Sequence, residues 1–435
     1  MKRVLHSLRY GALARIWPWL SSTMVRLGGP RVAAYLSYLS IDWGAMTRER
    51  TVLCLSRESF VKDVVELRKR SSFNYPMVMG GFTRFQMEWT PTAMQIQTFY
   101  QRQMADNPRA LRQSTAYARH LVRLVGRKQR VDAILSANFD YWQDNGFKQV
   151  AKELSIPFLV LSREHPVVPK VCAEVIRWYR ESGYRFEGTA MAVAGKSTRD
   201  VTLAVGTVCR PDQITITGLP RYDAWQDVDT SLPVAERPLV TLLTFTEGYY
   251  ADQTFKEVLK LFCEAAVLYG RGGLDFLVKT KDVNDSVAVR RIMTEMGLGG
   301  VRCGHELNLF DVLPKSRLVI NYNSLSLVEA VMARASSVIP AWGECMDRGD
   351  EVMYPADREV ISRVVGFARS PAELLAMIEA SVRGQTPPIP ATYVREFLDE
   401  YIHVPDNGSY SAEFERFLTA YIGLAKPDKV LKANA

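Results

Sequence analysis

The sequence lacks the short motifs that mark several common kinds of site. Its six cysteines form no CxxC pair and its five histidines have no metal-ligand spacing, so neither disulfides nor a structural zinc site is expected. The phosphate-binding pattern GxxxxGK[ST] and the zinc-protease pattern HExxH are absent. The uncharged runs Ile16 to Val25 and Val32 to Ile41 are too short to span a bilayer, and no secretory cleavage pattern is evident. We expect no bound metal and no cofactor.

Acidic residues are missing from the amino terminus, where none precedes Asp42. Six basic residues of that stretch account for six of the eight net positive charges, namely Lys2, Arg3, Arg9, Arg15, Arg26 and Arg31. Tryptophans and tyrosines are interleaved with them, a mixture typical of the headgroup region of an anionic membrane. We interpret residues 1–45 as a membrane-surface segment. A helix packed on the protein with a solvated basic face, or an organellar targeting sequence, stays open.

A second basic stripe consists of Arg109, Arg112, Arg119, Arg123 and Arg127. The last three recur every four residues and therefore share one face of a helix. A solvated surface is one interpretation, and contact with an anionic acceptor or lipid is the other. Because no RNA-binding signature is present and the bases lie outside the predicted sheets, nucleic acid is not an expected partner.

The 435 residues, 47% hydrophobic and 23% charged, alternate between predicted strands and helices. This alternation is typical of α/β proteins with parallel, doubly wound sheets. We expect a first Rossmann-like domain at 46–226, a second at 239–385, and C-terminal helices at 386–435 that cross back. Two such domains would face each other across a central cleft, where substrates bind.

The most informative stretch runs from Arg317 to Trp342 and predicts a strand, a polar turn, a helix and a second strand. Asn323, Ser324 and Ser326 occupy the turn. Free backbone N–H groups and the positive end of the helix dipole make such a place an anion site. Serine and asparagine are also ordinary helix caps, so capping is the alternative.

Other polar residues follow the predicted strands of the second domain at their carboxyl ends. These are Thr246 and Glu247 after the first strand, Lys279 and Lys281 after the second, His305 after the third, and Glu344 further along. Either lysine could neutralise a phosphate leaving group. Glu344 could contact sugar hydroxyls or cap a helix.

The stretch Ile214 to Trp225, ITITGLPRYDAW, ends a strand with Gly218, Pro220, Arg221 and Asp223. From the residues alone, we expect Arg221 and Asp223 to pair and fix the exit to a linker at Asp227 to Pro238. Together with the strand-N-S-x-x-x-x-E-A helix of the second domain, this pattern resembles the GT-B glycosyltransferase superfamily. The similarity leans towards Kdo transferases, polysialyltransferase-like enzymes and CDP-glycerol transferases.

The resemblance implies a nucleotide-sugar donor in the second domain and a glycan or lipid-linked acceptor in the first. It implies that Asn323, Ser324 and Ser326 hold the donor phosphate and that Glu329 accepts hydrogen bonds from ribose hydroxyls. It also implies a bacterial, cytoplasmic enzyme, with contact at the inner membrane as a hypothesis. The chain departs from the pattern at Lys279 to Asp282, where the relatives carry His-Pro, so the nucleotide stays open.

An inverting transferase needs a base that removes the acceptor proton. Glu164 and His165 follow one predicted strand of the first domain, and Asp140 follows another. We choose Glu164 first, then Asp140, although a salt bridge or a cap is an equal alternative for either. A retaining enzyme would need no such base.

These observations predict a glycosyltransferase of capsule or lipopolysaccharide synthesis. A nucleotide-sugar epimerase uses the same architecture, so the fold does not separate the two. The third hypothesis is a non-catalytic basic protein that binds membranes or nucleic acid.

Overall fold

The computed structural model describes residues 13–56, 60–79, 81–95, 107–163, 169–244, 252–270, 273–322, 324–347, 354, 356–406 and 408–423. Within them the chain forms two parallel β-sheets surrounded by helices, which confirms the predicted α/β class. All six cysteines are free thiols.

The first sheet has the strand order β2-β1-β4-β5-β6-β7, and β3 also pairs with β1. Its strands are β1 (Arg50–Leu55), β2 (Phe73–Asn74), β3 (Met77–Val78), β4 (Ala133–Ser136), β5 (Phe158–Ser162), β6 (Ala190–Val193) and β7 (Ile214–Ile216). The accompanying helices are α1 (Leu13–Leu39), α2 (Val61–Arg70), α3 (Gly81–Met87), α4 (Thr92–Gln95), α5 (Pro108–Lys128), α6 (Asn145–Leu154), α7 (Pro169–Ser182) and α8 (Lys196–Val205).

Alternate residues of the strands point to opposite faces of this sheet, as the two-residue period of a strand requires. Leu53 and Leu55 of β1 pack in the same cluster as side chains of α1, α5 and α6. Val52 and Cys54 pack in the same cluster as α2. Both faces are therefore covered, as in other parallel sheets.

The second sheet has the order β10-β9-β8-β11-β12-β13. Its strands are β8 (Leu239–Leu243), β9 (Asp275–Lys279), β10 (Arg302–Gly304), β11 (Ser316–Ile320), β12 (Ser336–Pro340) and β13 (Val365–Ala368). Counted from β8, this is the doubly wound order 3-2-1-4-5-6, whose direction of winding reverses between β8 and β11.

The remaining helices follow these strands or form the tail. They are α9 (Gln253–Tyr269), α10 (Val283–Glu295), α11 (Leu309–Val312), α12 (Leu325–Met332), α13 (Glu344–Asp347), α14 (Glu359–Ser362), α15 (Pro371–Val382), α16 (Ala391–Tyr401) and α17 (Tyr410–Ile422). No helix in the described ranges combines the length and the apolar character that crossing a membrane requires.

The sequence predicts a strand at Asp275–Lys279 and a helix at Pro371–Val382, and β9 and α15 have these bounds. Not predicted from the sequence are the strands β2, β3 and β13 and the helices α3, α4, α7, α8, α13 and α14. The two-residue strands β2 and β3 are too short to display a period. Strand β13 contains Gly366, which weakens a strand pattern.

Arg221 and Asp223, which we expected to pair with each other, bind two different elements instead. Arg221 binds Asp63 of α2, whereas Asp223 accepts hydrogen bonds from the backbone of Tyr410 and Ser411 at the start of α17. Gly218 precedes them with φ +70°, and a Cβ there would lie 2.3 Å from the Tyr410 ring. The motif thus fixes the tail as well as the linker.

The tail helices lie against both halves of the molecule, where the first half is built on the first sheet (β1 to β7) and the second half on the second sheet (β8 to β13). Helix α16 packs on α8 and on α12, while α17 packs on α2 and on the 3-10 segment Pro220–Asp227. In that segment Trp225 meets Phe310 of the second half, with ring centroids 4.8 Å apart. One apolar cluster therefore includes side chains from both sheets and the tail.

We expect Asp223→Ala to lower the free energy of unfolding by about 2 kcal/mol, because two buried backbone N–H groups would lose their acceptor. Asp227→Ala is the matched control, since that carboxylate is 76% exposed and pairs only at the surface with Arg70. Its expected effect is about 0.5 kcal/mol. Urea denaturation measures both, and equal effects would contradict the anchoring role of Asp223.

Candidate functional site

Some of the buried polar groups without hydrogen-bond partners in the described residues lie at the carboxyl ends of strands. Thr244 follows β8 and Asn321 follows β11, the two strands at which the second sheet reverses its winding. The Thr244 hydroxyl and both amide atoms of Asn321 are buried and have no hydrogen-bond partner in the described ranges. The hydroxyls of Ser162, at the end of β5, and of Tyr222 share this condition. Since such groups are costly to leave unpaired, a polar ligand is the natural partner.

Helix α12 begins beside Asn321. Ser324 is its cap, with the hydroxyl oxygen accepting a hydrogen bond from the Ser326 backbone N–H at 3.3 Å and contacting the Ser326 hydroxyl. The structure thus brings Ser324 and Ser326 together at the helix N-terminus, in the capping geometry that was one of the two interpretations. Asn323 lies outside the described residues.

Glu329 belongs to the second turn of α12 and interacts electrostatically with Lys62 and Arg221 of the first half. Burial raises the pKa of this half-buried carboxyl, and the two positive charges oppose that rise. Because these partners belong to the half built on the first sheet, this part of α12 lies close to that half.

Lys279 is the last residue of β9 and is only 9% exposed. Its ammonium donates to the Thr280 carbonyl at 2.5 Å. Burial lowers the pKa of Lys279, Lys62 lowers it further, and Glu306 acts in the opposite direction. Two lysines from opposite halves therefore raise the positive potential of the cleft.

Sequence reasoning missed Lys62. It lies on α2 among several other charged residues, so its pattern is that of an ordinary solvated helix. The available signal was its position, at the start of the helix that follows β1. In a parallel sheet, the first turn after a strand lies at the ligand-binding edge.

Beside Lys62, a buried ion cluster forms the wall of the first half. Asp63 is fully buried and binds the Arg221 guanidinium through both carboxylate oxygens. Arg163, immediately after β5, places its Nε 3.5 Å from Asp63. The carboxylate and charged hydrogen bonds of Asp63 raise the pKa of Arg221, although burial alone would lower it. The Arg221 guanidinium is thus held cationic.

His305 and Lys281 lie further out. His305 follows β10, the outermost strand, and its Nδ1 lies 3.1 Å from the Ser286 hydroxyl and 3.6 Å from a Glu306 oxygen. Lys281 is exposed. The structure does not bring these two together with Ser324 and Glu329 through any described contact.

Glu344 caps a helix, which was one of its two interpretations. Its carboxylate accepts hydrogen bonds from the backbone N–H groups of Gln253 and Thr254 at 2.9 and 3.0 Å, and from the Thr254 hydroxyl. The capped helix is α9, which lies earlier in the chain. These hydrogen bonds lower the pKa of Glu344 to about 2. Both oxygens already have partners, which disfavours a contact with sugar hydroxyls.

Of the proposed bases, only Asp140 can be located. It is 2% exposed and accepts a hydrogen bond from the Tyr179 hydroxyl, within a cluster that includes buried Lys148. Asp140 is therefore shielded from solvent and held by other side chains, which is the structural role that was its alternative. Glu164, His165, Thr246 and Glu247 lie outside the described residues.

Two other features bear on ligands. The described residues contain no group of three or more histidine, cysteine or carboxylate side chains arranged to hold a metal ion. A cavity of about 310 Å³ lies near the amino-terminal ends of β12 and β13, between Val338, Val365 and Met377. Its mainly apolar lining does not suit phosphate.

Solved structures match this chain over most of its length, and three of them serve as examples. A Listeria monocytogenes protein described as a UDP-N-acetylglucosamine 2-epimerase has 10% identity and a TM-score of 0.52, covering 88% of this chain and 100% of its own. S. aureus MnaA in complex with UDP has 11% identity and a TM-score of 0.51, with coverage of 87% and 98%. A UDP-GlcNAc 2-epimerase from Methanocaldococcus jannaschii has 10% identity and a TM-score of 0.50, with coverage of 85% and 99%.

The chain has the GT-B fold. At these identities the similarity concerns the arrangement of the two α/β halves and not the chemistry. No protein-family model and no curated protein matches the sequence.

Glu344 generates a pH-dependent prediction. Its pKa falls from an ordinary value of 4.5 to about 2 in the folded protein, so its contribution to stability is complete above 4.5 and is lost as pH falls towards 2. We expect Glu344→Gln to cost about 1 kcal/mol at neutral pH. The difference from wild type should shrink through that acid window.

The control is Glu264→Gln, on the same helix but exposed beside Lys260. Urea denaturation as a function of pH measures all three proteins. A wild-type and Glu344→Gln difference that stays constant from neutral pH to pH 2 would show that the carboxylate charge is not what stabilises α9.

Proposed function

We propose that the protein is an enzyme that binds a nucleotide sugar in the cleft, with the nucleotide held by the second half. The observation that carries this proposal is the set of unpartnered polar atoms of Thr244 and Asn321 beside the α12 N-terminus. Backbone N–H groups at a helix start suit a phosphate. Side-chain amides and hydroxyls suit the remaining polar atoms of a nucleotide.

The charges of the cleft support the same ligand. Lys62 and Lys279 belong to opposite halves and repel each other as like charges. A diphosphate would relieve that repulsion and would be contacted from both sides. When the bond to the sugar breaks, these lysines would stabilise the charge that develops on the departing phosphate. Glu329 would accept hydrogen bonds from ribose hydroxyls.

We propose further that the reaction is glycosyl transfer to a glycan or lipid-linked acceptor of bacterial surface polysaccharide, such as capsule or lipopolysaccharide. The motif at Ile214 to Trp225 supports this reading through its resemblance to GT-B transferases. In an inverting reaction the acceptor proton would pass to a base of the first half, for which Glu164 is our choice. The enzyme would work in the cytoplasm without a metal ion.

A nucleotide-sugar epimerase is the second candidate, and two observations favour it. The Listeria and Methanocaldococcus proteins with the same fold are described as UDP-GlcNAc 2-epimerases. Glu329 is also a carboxyl group in the cleft whose pKa is raised by burial. A carboxyl group with a raised pKa exchanges its proton at higher pH than an exposed carboxyl group does, which suits proton transfer.

Donor binding is tested by thermal shift against UDP-, GDP-, CMP-, CDP- and dTDP-sugars, because a ligand that binds only the native state raises its apparent stability. We expect one nucleotide class to produce a shift. Ser324→Ala, Glu329→Ala and Lys62→Met should each weaken binding by about tenfold, or about 1.4 kcal/mol. The shift of each variant is measured against its own ligand-free state.

Lys260→Met is the matched control for Lys62→Met, because Lys260 is an exposed lysine on α9 that pairs with Glu264. It should retain the full shift. If Glu329→Ala and Lys62→Met retain it too, the ligand does not occupy this cleft.

Product analysis separates the two reactions. A transferase leaves the sugar configuration of the donor unchanged without acceptor and yields a glycoside with one, whereas an epimerase yields the epimer from the nucleotide sugar alone. For an inverting transferase, Glu164→Gln should preserve the thermal shift and slow transfer by about 100-fold. Full activity of that variant would exclude Glu164 as the base, and an epimer without acceptor would replace the transferase proposal.

A further inference from the structure

Helices α1 and α5 pack along each other and contain no acidic residue. Helix α1 has three arginines, and α5 has five arginines and one lysine. Some of these bases have local partners, since Arg26 pairs with Glu88, Arg119 pairs with Glu153, and Lys128 stacks on Trp43. Five have no acidic partner within the described ranges, namely Arg31, Arg109, Arg112, Arg123 and Arg127.

Several of these bases line an open groove of about 610 Å³ between the two helices. Its lining includes Arg31, Arg109, Arg112, Gln113 and His120. Burial lowers the pKa of His120, and the charges of Arg31, Arg123 and Arg119 lower it further. Positive potential therefore converges on the groove, where an anion would be attracted.

The outer side of α1 is apolar. Of the fifteen large apolar side chains exposed in the described ranges, six lie on this helix: Trp19, Leu20, Met24, Leu27, Tyr35 and Leu39. Trp19 is 69% exposed and Leu27 is 86% exposed. Leu20, Met24 and Leu27 follow the four-then-three spacing of one helix face. The inner face is buried on α5, where the Ser37 and Tyr117 hydroxyls are hydrogen-bonded at 2.7 Å. Helix α1 is broken at Gly29, where φ is +65° and ψ is −156°. The exposed side chains Trp19, Leu20, Met24 and Leu27 lie before this break, and the contact with Tyr117 lies after it.

We propose that α1 and α5 form a docking surface for an anionic lipid bilayer. Trp19, Leu20, Met24 and Leu27 enter the headgroup region, and the arginines of the groove bind lipid phosphates. An interfacial helix with exposed tryptophan and leucine beside arginine has the composition that this environment selects. Docking is independent of the reaction in the cleft and does not rest on the proposed function.

Charge complementarity selects this occupant over the alternatives. A symmetric dimer through the same surface would place like-charged arginines of two copies against each other. Nucleic acid would satisfy the arginines through its phosphates but would leave the apolar side chains of α1 without a partner. A bilayer offers anionic phosphates at its surface and hydrocarbon immediately below.

The test is co-sedimentation of the full chain with vesicles of phosphatidylcholine alone or mixed with phosphatidylglycerol. We expect binding to the anionic vesicles only, weakened by salt. Arg31→Gln combined with Arg112→Gln should lower the affinity by roughly 25-fold, at about fivefold for each arginine. Trp19→Ser combined with Leu27→Ser should lower it by at least tenfold, because apolar area no longer leaves water.

The matched control is Val267→Ser combined with Leu268→Ser, since these α9 side chains are 65% and 63% exposed on the other half of the molecule. That variant should bind vesicles as wild type does. The proposal is overturned if wild type does not bind anionic vesicles, if it binds neutral vesicles equally, or if the Trp19 and Leu27 variant binds anionic vesicles as wild type does. Thermal shift with nucleotide sugars is measured on the same variants, so failure of docking is distinguished from failure of the proposed function.

Discussion

The buried carboxylate of Asp63 is the constraint on which the cleft depends. It binds Arg221, whose position in sequence is 158 residues away, and it lies beside Arg163. Removing one partner of a buried ion pair leaves an uncompensated charge, which costs about 3 to 5 kcal/mol. The pair therefore fixes the start of α2 against the end of the first sheet, and Lys62 is positioned by the same turn.

Polar side chains lie together at the carboxyl ends of the strands because both sheets are parallel. Within one sheet, all parallel strands end at the same edge, so the residues that follow β8, β9 and β11 lie along one edge of the second sheet, while the interior of each sheet stays apolar. The cleft has side chains of both charge types: Lys62, Lys279 and Arg221 are basic, and Glu329 is acidic. An anionic ligand with hydroxyl groups would satisfy both kinds of charge.

The outer surface of α1 and α5 differs from the cleft in the side chains that accompany its positive charges. There the arginines are spread along two helices and accompanied by exposed apolar side chains, a combination that suits an extended anionic surface. In the cleft the charges are few and flanked by buried hydroxyls and amides, which suits one small ligand. The molecule thus has two positively charged regions, and they differ in whether exposed apolar side chains accompany the charges.

The α/β class, the strand at Asp275–Lys279, the helix at Pro371–Val382 and the serine-rich start of α12 follow from the sequence alone, because periodicity and capping are local properties of neighbouring residues. Three pairings depend on the folded chain, in which Lys62 interacts with Lys279, Arg221 binds Asp63 rather than Asp223, and Glu344 caps a helix 90 residues earlier. A charged residue on a helix has the same local pattern whether it faces water or a cleft. The difference arises when two sheets and the tail pack together and bring distant side chains within reach.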